Sequence, residues 1–414
     1  MSASASAPAP EPRYGWVIVG LSMVYWGFGL GLLISISVFL KPLGAEFGWP
    51  RGATSFAYLA ATLLNGVAGV VAGTLADRLT VRPFVVVGSL ALGLAHLLLG
   101  TISHVWQLYA VYGFLIGFLG LGLFKIPLLT SIQFWFTRNR GLATGLTLSG
   151  QTIGAATVPL LARWLIATYG WREAYLVLGA IALLLVPLSV LVRQPPGLAE
   201  ARAASRRALA GAGRGARRAA YRPMTALCAA IVCCCVCMSI PLVHLVAHAT
   251  DLGIDGARAA SVLSVMMMGG WLSRVSLGKV ADWIGGFRTL LLGSGLQTSA
   301  IFLFTQVDTV AGLYAIAFWF GLGYGGVIPS YAYLTREVMP AHMVGQATGV
   351  VLFFGSIGMG QGGFWGGWLF DRTGDYTWSF ALGALAGVAN LLIVGTLYLR
   401  TRSAARPVPA LEGV

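Results

Sequence analysis

Twelve apolar stretches, separated by short polar connections, run through this sequence from one end to the other. A helix needs about 20 mostly apolar residues to cross the hydrocarbon core of a bilayer. The predicted spans cover residues 15–39, 54–76, 83–103, 107–136, 141–167, 173–193, 223–250, 258–281, 287–306, 310–336, 344–370 and 377–400. The pattern therefore predicts an all-α membrane protein with twelve transmembrane helices.

The composition argues against a water-soluble fold. Of the 414 residues, 57% are hydrophobic and only 10% are charged, whereas a soluble domain has about 25% charged residues. The formal net charge of +14 could indicate nucleic-acid binding, but the basic residues lie mostly in the connections between the apolar stretches. That placement is typical of membrane topology signals, so we predict no nucleic-acid partner.

All the cysteines of the chain lie in the seventh predicted span. A zinc or redox site would need a second cluster, or nearby histidines at ligand spacing. We therefore interpret the cysteines as small packing residues, and we predict neither a metal nor a cofactor. They are Cys228, Cys233, Cys234, Cys235 and Cys237.

The distribution of Lys and Arg predicts the orientation in the membrane. If the N-terminus is cytoplasmic, most of these residues fall in cytoplasmic segments and few fall in external connections. Because positive residues are enriched on the cytoplasmic side, both termini are predicted to be cytoplasmic. The external cations are then Lys41, Arg51, Arg163, Arg172, Arg258 and Arg372.

The two halves of the chain resemble each other. The stretch GTLADR at 73–78 recurs as GKVADW at 278–283, and GLATG at 141–145 recurs as GQATG at 345–349. Duplicated six-helix halves around a central site are a design of secondary transporters. An enzyme would instead need nucleophilic, acid–base or metal-binding groups, which are missing here, so we predict that the protein is not an enzyme.

This repeat divides the chain into two predicted bundles with basic connections. The segment between them is rich in Pro, Gly, Ala and Arg, which predicts a flexible linker. The predicted segments are a cytoplasmic tail at 1–13, a six-helix bundle at 14–193, a cytoplasmic linker at 194–222, a six-helix bundle at 223–402 and a cytoplasmic tail at 403–414.

The stretch GTLADR, with Arg82 close behind it, resembles the cytoplasmic signature motif of the major facilitator superfamily. This resemblance implies that superfamily's fold, two pseudo-symmetric six-helix bundles, and a gate that joins the bundles on the cytoplasmic side. The alternative is a charge cluster at the membrane surface that only sets the topology. The implied gate residues are Gly73, Asp77, Arg78, Arg82, Gly278 and Asp282.

Three longer stretches resemble the bacterial monocarboxylate-transporter-like branch of that superfamily. They are FLKPLGAEFGWPR at 39–51, FWFTRNRGLATG at 134–145 and PLVHLVAHATDLG at 241–253. Oxalate:formate antiporters are related to this branch and share much of the pattern. The resemblance implies a multi-pass protein of the bacterial inner membrane, expected to be monomeric, whose partners are a small organic anion, a proton and the lipid bilayer.

Arg274 is the most informative single residue because it lies deep in the eighth predicted span. By helical rise it is about 12 Å from Asp282 and about 24 Å from Arg258, too far to reach either membrane surface comfortably. A planar guanidinium in a cavity of low dielectric matches a carboxylate, so we predict that Arg274 binds the substrate anion. A buried ion pair is the alternative, although no Asp or Glu lies in the core of a predicted span.

Lys125 places a second cation inside a predicted span, in the other half of the chain. If both cations face one cavity, they suit a dicarboxylate, or a single carboxylate that both hold. The alternative for Lys125 is packing toward the cytoplasmic side.

His244 and His248 are four residues apart and therefore share one helix face. Because histidine titrates near neutral pH, both are candidates for proton coupling, and His244 is also a candidate for substrate binding; hydrogen-bonded packing is the alternative. Animal members of the branch carry an aspartate one turn before the eighth-helix arginine, where this chain has Gly270. Tyr324 and Tyr331 are candidates for the cavity wall, with polar packing as the alternative.

Together these features predict a secondary transporter that carries a small carboxylate, such as lactate or pyruvate, by alternating access. Proton symport is expected because an anion that enters against an inside-negative potential costs about 2.3 kcal/mol per charge per 100 mV. Two alternatives stay open. One is a carboxylate exchanger or dicarboxylate carrier like the oxalate:formate antiporters, and the other is a membrane sensor that binds its ligand without transport.

Overall fold

Helices and short connections make up the part of the chain that the computed structural model describes, residues 13–76, 79–136, 140–195, 214–339 and 344–404. Twelve successive helical units cross this part, in agreement with the predicted spans. They are α1 (Tyr14–Phe47), α2 (Arg51–Ala76), α3 (Val81–Leu99), α4 (105–135), α5 (Arg140–Tyr169), α6 (Trp171–Leu191), α7 (Arg214–Asp251), α8 (Gly256–Ile284), α9 (Gly286–Thr305), α10 (Val310–Val338), α11 (Val344–Thr373) and α12 (Thr377–Ala404). We refer to α1–α6 as the N-half and to α7–α12 as the C-half.

Helix α4 is irregular in the half that precedes Lys125. It begins as an α-helix over Val105–Ala110, continues as a π-helix over Val111–Gly122 and returns to an α-helix over Leu123–Trp135. The π-helical segment, with the sequence VYGFLIGFLGLG, is rich in glycine. Because π geometry is usually confined to single turns and often marks functional sites, this segment draws attention to Lys125, which lies three residues after its end.

Helix α7 begins at Arg214, inside the segment 194–222 that the sequence predicts as a linker. The first residues of this helix are mainly Arg and Ala, which have high helix propensity. The helix therefore extends beyond the apolar stretch that defines the predicted span.

Each half repeats the same close helix pairs. In the N-half, α1 packs on α5, and a Cβ at Gly31 would lie 2.6 Å from the carbonyl oxygen of Gly154. In the C-half, α7 packs on α11 in the same way, and a Cβ at Gly362 would lie 2.5 Å from the carbonyl oxygen of Val236. Small residues let membrane helices approach this closely. The shared pairing agrees with the duplication in the sequence.

Two antiparallel helix pairs join the halves, α2 with α11 and α5 with α8. Along α5 and α8, the hydroxyl of Ser264 donates to the carbonyl oxygen of Ala156 at 2.6 Å. Along α2 and α11, a Cβ at Gly363 would lie 2.7 Å from a ring carbon of Tyr58. Through these two contacts, close packing continues across the junction of the halves as well as within each half.

By length and composition, nine of the described helical units qualify as membrane spans, and α5, α8 and α11 are not among them. These three helices contribute to the two pairs that join the halves, where glycine and hydroxyl residues replace part of the apolar surface. We call the end of the bundle that contains Phe47, Tyr169 and Asp251 the outer end, because the topology predicted from the Lys and Arg distribution puts it outside.

Candidate functional site

Arg274 lies in α8 at the place where the two halves meet. Its Nη1 donates to the carbonyl oxygen of Leu148 in α5 at 2.6 Å, and its Nε donates a longer bond to the carbonyl oxygen of Gly325 in α10 at 3.4 Å. The ion pairs found among the described residues involve other cations. Within the described part of the chain, Arg274 therefore has carbonyl partners and no carboxylate.

Tyr324 of α10 is buried within electrostatic reach of Arg274. Its ring also closes the space beside Gly270, one turn before Arg274 in α8. A Cβ at Gly270 would lie 3.1 Å from Cδ1 of Tyr324 and 3.8 Å from the methyl carbon of Thr152. A side chain at this position would therefore require the tyrosine ring to shift by a few tenths of an ångström.

Lys125 of α4 lies near both α1 and α7. Its Nζ is 5.4 Å from the ring centroid of Trp26 in α1, a distance at which a cation and an indole face attract each other. It is also within electrostatic reach of Cys235 in α7. No ion pair found among the described residues includes Lys125, so the second predicted cation has no carboxylate partner there either.

Cys235 and Tyr324 connect the surroundings of the two cations. They are within electrostatic reach of each other, and each is also within reach of one cation. We group these four residues as the central site: Lys125 of the N-half with Cys235, Arg274 and Tyr324 of the C-half. The place of Cys235 in it was missed by the sequence reasoning, because five neighbouring cysteines gave no reason to select one.

His244 and His248 lie in α7 toward the outer end. Nε2 of His244 is 2.7 Å from the carbonyl oxygen of Gly363, which can only accept, so Nε2 carries the proton. Nδ1 lies 3.3 Å from the hydroxyl of Tyr376 and accepts from it. Nε2 of His248 is 3.0 Å from the carbonyl oxygen of Phe304. Both histidines have protein partners, and no hydrogen bond in the described part joins either to the central site.

Tyr331 is held within the C-half. Its hydroxyl donates to Oδ1 of Asn390 at 2.7 Å, and Nδ2 of Asn390 donates to the hydroxyl of Ser294 at 2.8 Å. This buried network links α10, α12 and α9. No contact between Tyr331 and Arg274 is found among the described residues, and the hydrogen bonds of Tyr331 agree with polar packing, although Tyr331 is within electrostatic reach of Cys235.

Most of the predicted cytoplasmic gate cannot be followed in the structure. Asp77 and Arg78 lie outside the described residues, as does the side chain of Asp282. Gly73 and Gly278 lie in α2 and α8, near the ends opposite the outer end. The gate itself stays a prediction.

Arg82, the remaining gate residue, makes contacts within the N-half. Its Nη2 donates to the carbonyl oxygen of Val190 at 2.7 Å and its Nε donates to that of Val192 at 3.2 Å. These bonds tie the start of α3 to the end of α6.

The outer end contains a group of charges that the sequence reasoning did not single out. Arg51, at the start of α2, forms a two-pronged pair with Asp251, at the end of α7, with Nη1–Oδ2 and Nη2–Oδ1 distances of 2.5 and 2.9 Å. Nζ of Lys41 lies 2.8 Å from Oδ1 of the same aspartate. One carboxylate of the C-half therefore holds two cations of the N-half.

A second carboxylate of the C-half reaches the same helix terminus. Asp371, in the last turn of α11, accepts from the backbone N–H groups of Arg51 and Gly52 at 2.9 and 2.6 Å, where the dipole of α2 favours a negative charge. The Arg51 side chain also donates to the hydroxyl of Tyr376 at 2.8 Å and stacks on the ring of Phe370. We call these groups the outer bridge: Lys41, Arg51, Asp251, Asp371 and Tyr376.

The family is settled by comparison with known proteins. A family model described as Major Facilitator Superfamily matches residues 16–363. The chain belongs to the Major Facilitator Superfamily. It is accordingly a multi-pass membrane transporter and not an enzyme.

Within the superfamily, the chain is similar to the monocarboxylate transporters. Monocarboxylate transporter 11 of Homo sapiens is 33% identical, over 92% of this chain and 83% of that protein. Monocarboxylate transporter 13 of Bos taurus is 29% identical, over 95% and 92%. The predicted resemblance to this branch is therefore confirmed, and membership of its bacterial part stays a prediction.

Two solved structures have the same fold. The nucleoside transporter NupG superposes with a TM-score of 0.74 at 12% identity, over 92% of this chain and 100% of that one. A D-xylose-proton symporter superposes with a TM-score of 0.70 at 16% identity, over 92% and 97%. At such identities the likeness shows the fold alone, and it confirms the predicted pair of six-helix bundles.

Proposed function

We propose that this chain is a secondary active transporter of small monocarboxylates, which bind Arg274 in the central site. The observation that carries the proposal is a guanidinium at the junction of the halves whose described partners are backbone carbonyls. A hydrogen bond between two charged groups is about twice as strong as a neutral one, so an anion is a better partner for Arg274 than Leu148. The relatives are named monocarboxylate transporters, which agrees with a small carboxylate.

The position of Arg274 links binding to movement. Its bond to Leu148 runs from the C-half to the N-half. An anion that takes the guanidinium away from this carbonyl removes a contact that holds α8 against α5. Substrate binding thereby favours a change in how the halves meet, as alternating access around a central site requires.

Lys125 supports a second candidate function. Because both cations of the central site lack a carboxylate partner in the described part of the chain, a dianion could neutralise both at once. This favours a dicarboxylate carrier or carboxylate exchanger as the alternative to a monocarboxylate transporter. If the substrate is instead a monocarboxylate, Lys125 stays over the face of Trp26 and its positive potential helps to attract the anion bound at Arg274.

We assign proton coupling to His244, with His248 one turn away. Nδ1 of His244 faces the hydroxyl of Tyr376, which also accepts from Arg51. A proton on Nδ1 would take away the acceptor of the phenol and would add positive charge beside Arg51. Protonation from the outside therefore weakens the outer bridge and opens the carrier to the side from which proton and anion enter.

The expected setting is the inner membrane of a bacterium, with a monomeric protein and both termini in the cytoplasm. The excess of basic residues in the segments assigned to that side supports the orientation. The stretches at 39–51, 134–145 and 241–253 support the bacterial placement.

The proposal is tested by uptake of radiolabelled lactate, pyruvate, acetate, oxalate and succinate into proteoliposomes, with and without an inward proton gradient. We expect uptake of monocarboxylates that the gradient stimulates. Uptake that ignores the gradient and requires an anion inside the vesicles would replace this proposal with exchange. Saturable binding of an acid without any uptake would indicate a sensor and would overturn transport.

A further inference from the structure

Thr152 differs from four other hydroxyl residues of its helix. Ser and Thr in helices commonly donate to the carbonyl oxygen four residues earlier. In α5 this bond, at 2.9 Å in each case, is made by Thr147, Ser149, Thr157 and Thr168. The hydroxyl of Thr152 is buried and has no hydrogen-bond partner among the described residues.

The acceptor that Thr152 would use is the carbonyl oxygen of Leu148, and Arg274 occupies it. A carbonyl oxygen has two lone pairs. One receives the helix N–H from four residues further on, as in any α-helix, and the other receives Nη1 of Arg274 at 2.6 Å. The guanidinium therefore holds the lone pair that the hydroxyl of Thr152 would use.

We propose that Thr152 and Arg274 exchange places at the Leu148 carbonyl oxygen when the substrate binds. In the empty carrier, Arg274 holds this oxygen and ties α8 to α5. When an anion takes the guanidinium, the hydroxyl of Thr152 turns to the oxygen and replaces the lost bond. Thr152 is thus a positioning residue, and the inference rests on the proposed function because it takes Arg274 as the anion-binding residue.

The exchange makes it easier for Arg274 to leave its resting position. A buried hydroxyl without a partner is unfavourable, and so is a buried carbonyl oxygen that loses a donor. One new hydrogen bond between Thr152 and Leu148 removes both disadvantages in the loaded state. Thr152 therefore raises substrate affinity without contacting the substrate.

Substitution by valine isolates the hydroxyl. The methyl group of Thr152 faces α8, 3.8 Å from the position of a Cβ at Gly270, and a valine keeps that methyl group. Thr147 provides a matched control, since it is buried in the same helix but already donates to Ala143.

The first experiment measures the melting temperature of the empty, purified carrier in a double-mutant cycle. Thr152→Val alone should leave the melting temperature unchanged or raise it, because it removes a hydroxyl that has no partner. In an Arg274→Met background the hydroxyl returns to Leu148, so the same substitution should lower the melting temperature by about 1 °C. Equal effects of Thr152→Val in both backgrounds would overturn the exchange.

The second experiment measures uptake kinetics in proteoliposomes. Thr152→Val should raise KM about three- to tenfold, the value of one ordinary hydrogen bond, with little change in maximal rate and to the same extent for each transported acid. Thr152→Ser should restore the wild-type KM. Thr147→Val should lower the melting temperature and leave KM unchanged. A wild-type KM in Thr152→Val, or no recovery with serine, would overturn the inference.

The two proposals fail in different ways. Full transport by Arg274→Met would contradict the proposed function. If Arg274→Met abolishes transport while the melting cycle shows no coupling between positions 152 and 274, the exchange is wrong and the proposed function stands. The melting cycle needs no substrate, so it tests the competition for Leu148 by itself.

Discussion

The outer bridge and the central site both contain an arginine that crosses between the halves, but the two arginines have opposite kinds of partner. The partners of Arg51 are a carboxylate bound through both oxygens, a hydroxyl and an aromatic ring. Arg274 has two carbonyl oxygens among the described residues. A charge that is fully paired holds two surfaces together, whereas a charge without a counterion in low dielectric favours an anionic ligand. The comparison supports the proposal that the outer bridge closes the carrier and that the central site binds the substrate.

The internal repeat sharpens this comparison. The offset that relates GTLADR to GKVADW also relates Arg51, at the start of α2, to Gly256, at the start of α8. Gly256 packs against the guanidinium of Arg163 at the end of α5. Ion pairs therefore hold one side of the outer end together, and close packing of a glycine holds the other side. Loss of the ion pairs should then open only the side at Arg51.

The largest effect is expected from removal of the Arg274 charge, which has no carboxylate partner among the described residues. Arg274→Met should reduce uptake about a hundredfold or more, since two charge-assisted bonds to the anion are lost. The measurement is initial uptake rate in proteoliposomes with equal amounts of protein. Arg288→Met is the control, because Arg288 is a C-half arginine whose Nε donates to Tyr398, and it should transport normally. Wild-type uptake by a folded Arg274→Met protein would contradict the assignment of binding to the central site.

Removal of the paired charge should open the outer end without removing the binding site. Arg51→Gln loses the ion pair to Asp251, so the open state should gain population and labelling of a reporter cysteine should rise about fivefold or more. Ser37→Cys is a suitable reporter, because Ser37 lines a cavity of about 250 Å³ that Lys41 also lines. The measurement is its reaction rate with a membrane-impermeant maleimide after replacement of the native cysteines.

Arg172→Gln is the matched control for that experiment. Arg172 also pairs with a carboxylate at the outer end, Glu46 at 2.7 Å, but both residues belong to the N-half. Its loss should leave the labelling rate near the wild-type value. If Arg51→Gln and Arg172→Gln label alike, the outer bridge does not close the carrier.

A smaller effect is expected from His244, which joins the outer bridge through Tyr376. His244→Gln should reduce the stimulation of uptake by an inward proton gradient to a ratio of about one, because the proposed proton carrier beside the bridge is gone. In the wild type, labelling at Ser37→Cys should rise as external pH falls, and in His244→Gln it should not. His96→Gln provides the control, since His96 is a buried histidine of the N-half that contacts the Leu92 carbonyl oxygen. Unchanged proton stimulation in His244→Gln would remove His244 from the coupling mechanism.

The smallest effect on transport is expected from Tyr331. Tyr331→Phe removes the hydrogen bond to Asn390 and should lower stability by about 1 kcal/mol, while KM stays within about a factor of two. Tyr324→Phe, beside Arg274, should change KM more than Tyr331→Phe does. Thermal unfolding and uptake kinetics of the two variants give the comparison. A large KM change in Tyr331→Phe alone would place that residue, against the present account, at the substrate.

Much of the fold could be predicted from the sequence because the physical signals are local. The length of the apolar stretches predicted the spans, and the recurring motifs predicted the two halves. Arg274 was a candidate because its charge lies far from both ends of its span. Helices α5, α8 and α11 do not meet the length and composition criterion that the other nine described helical units meet, and they are still among the predicted spans. The start of α7 at Arg214 was missed, because helix propensity in the Arg- and Ala-rich segment outweighed the composition of a linker.

The outer bridge and the role of Thr152 could not be predicted in the same way. Arg51 and Asp251 are 200 residues apart, and nothing local in either segment specifies the other as partner. The free hydroxyl of Thr152 depends on which atom reaches the Leu148 carbonyl oxygen, which is a property of the contact between α5 and α8. The sequence shows a threonine on a helix, where an ordinary intrahelical bond is the natural expectation.

The most direct test of the account is equilibrium binding of a radiolabelled acid to the purified carrier, with the acid that shows the highest uptake. Wild type, Arg274→Met and Arg51→Gln are measured side by side. The account predicts that Arg274→Met loses binding while Arg51→Gln retains it, because only the first removes the charge that faces the ligand. Retained binding in Arg274→Met together with lost binding in Arg51→Gln would contradict the central claim and would move the binding site to the outer end.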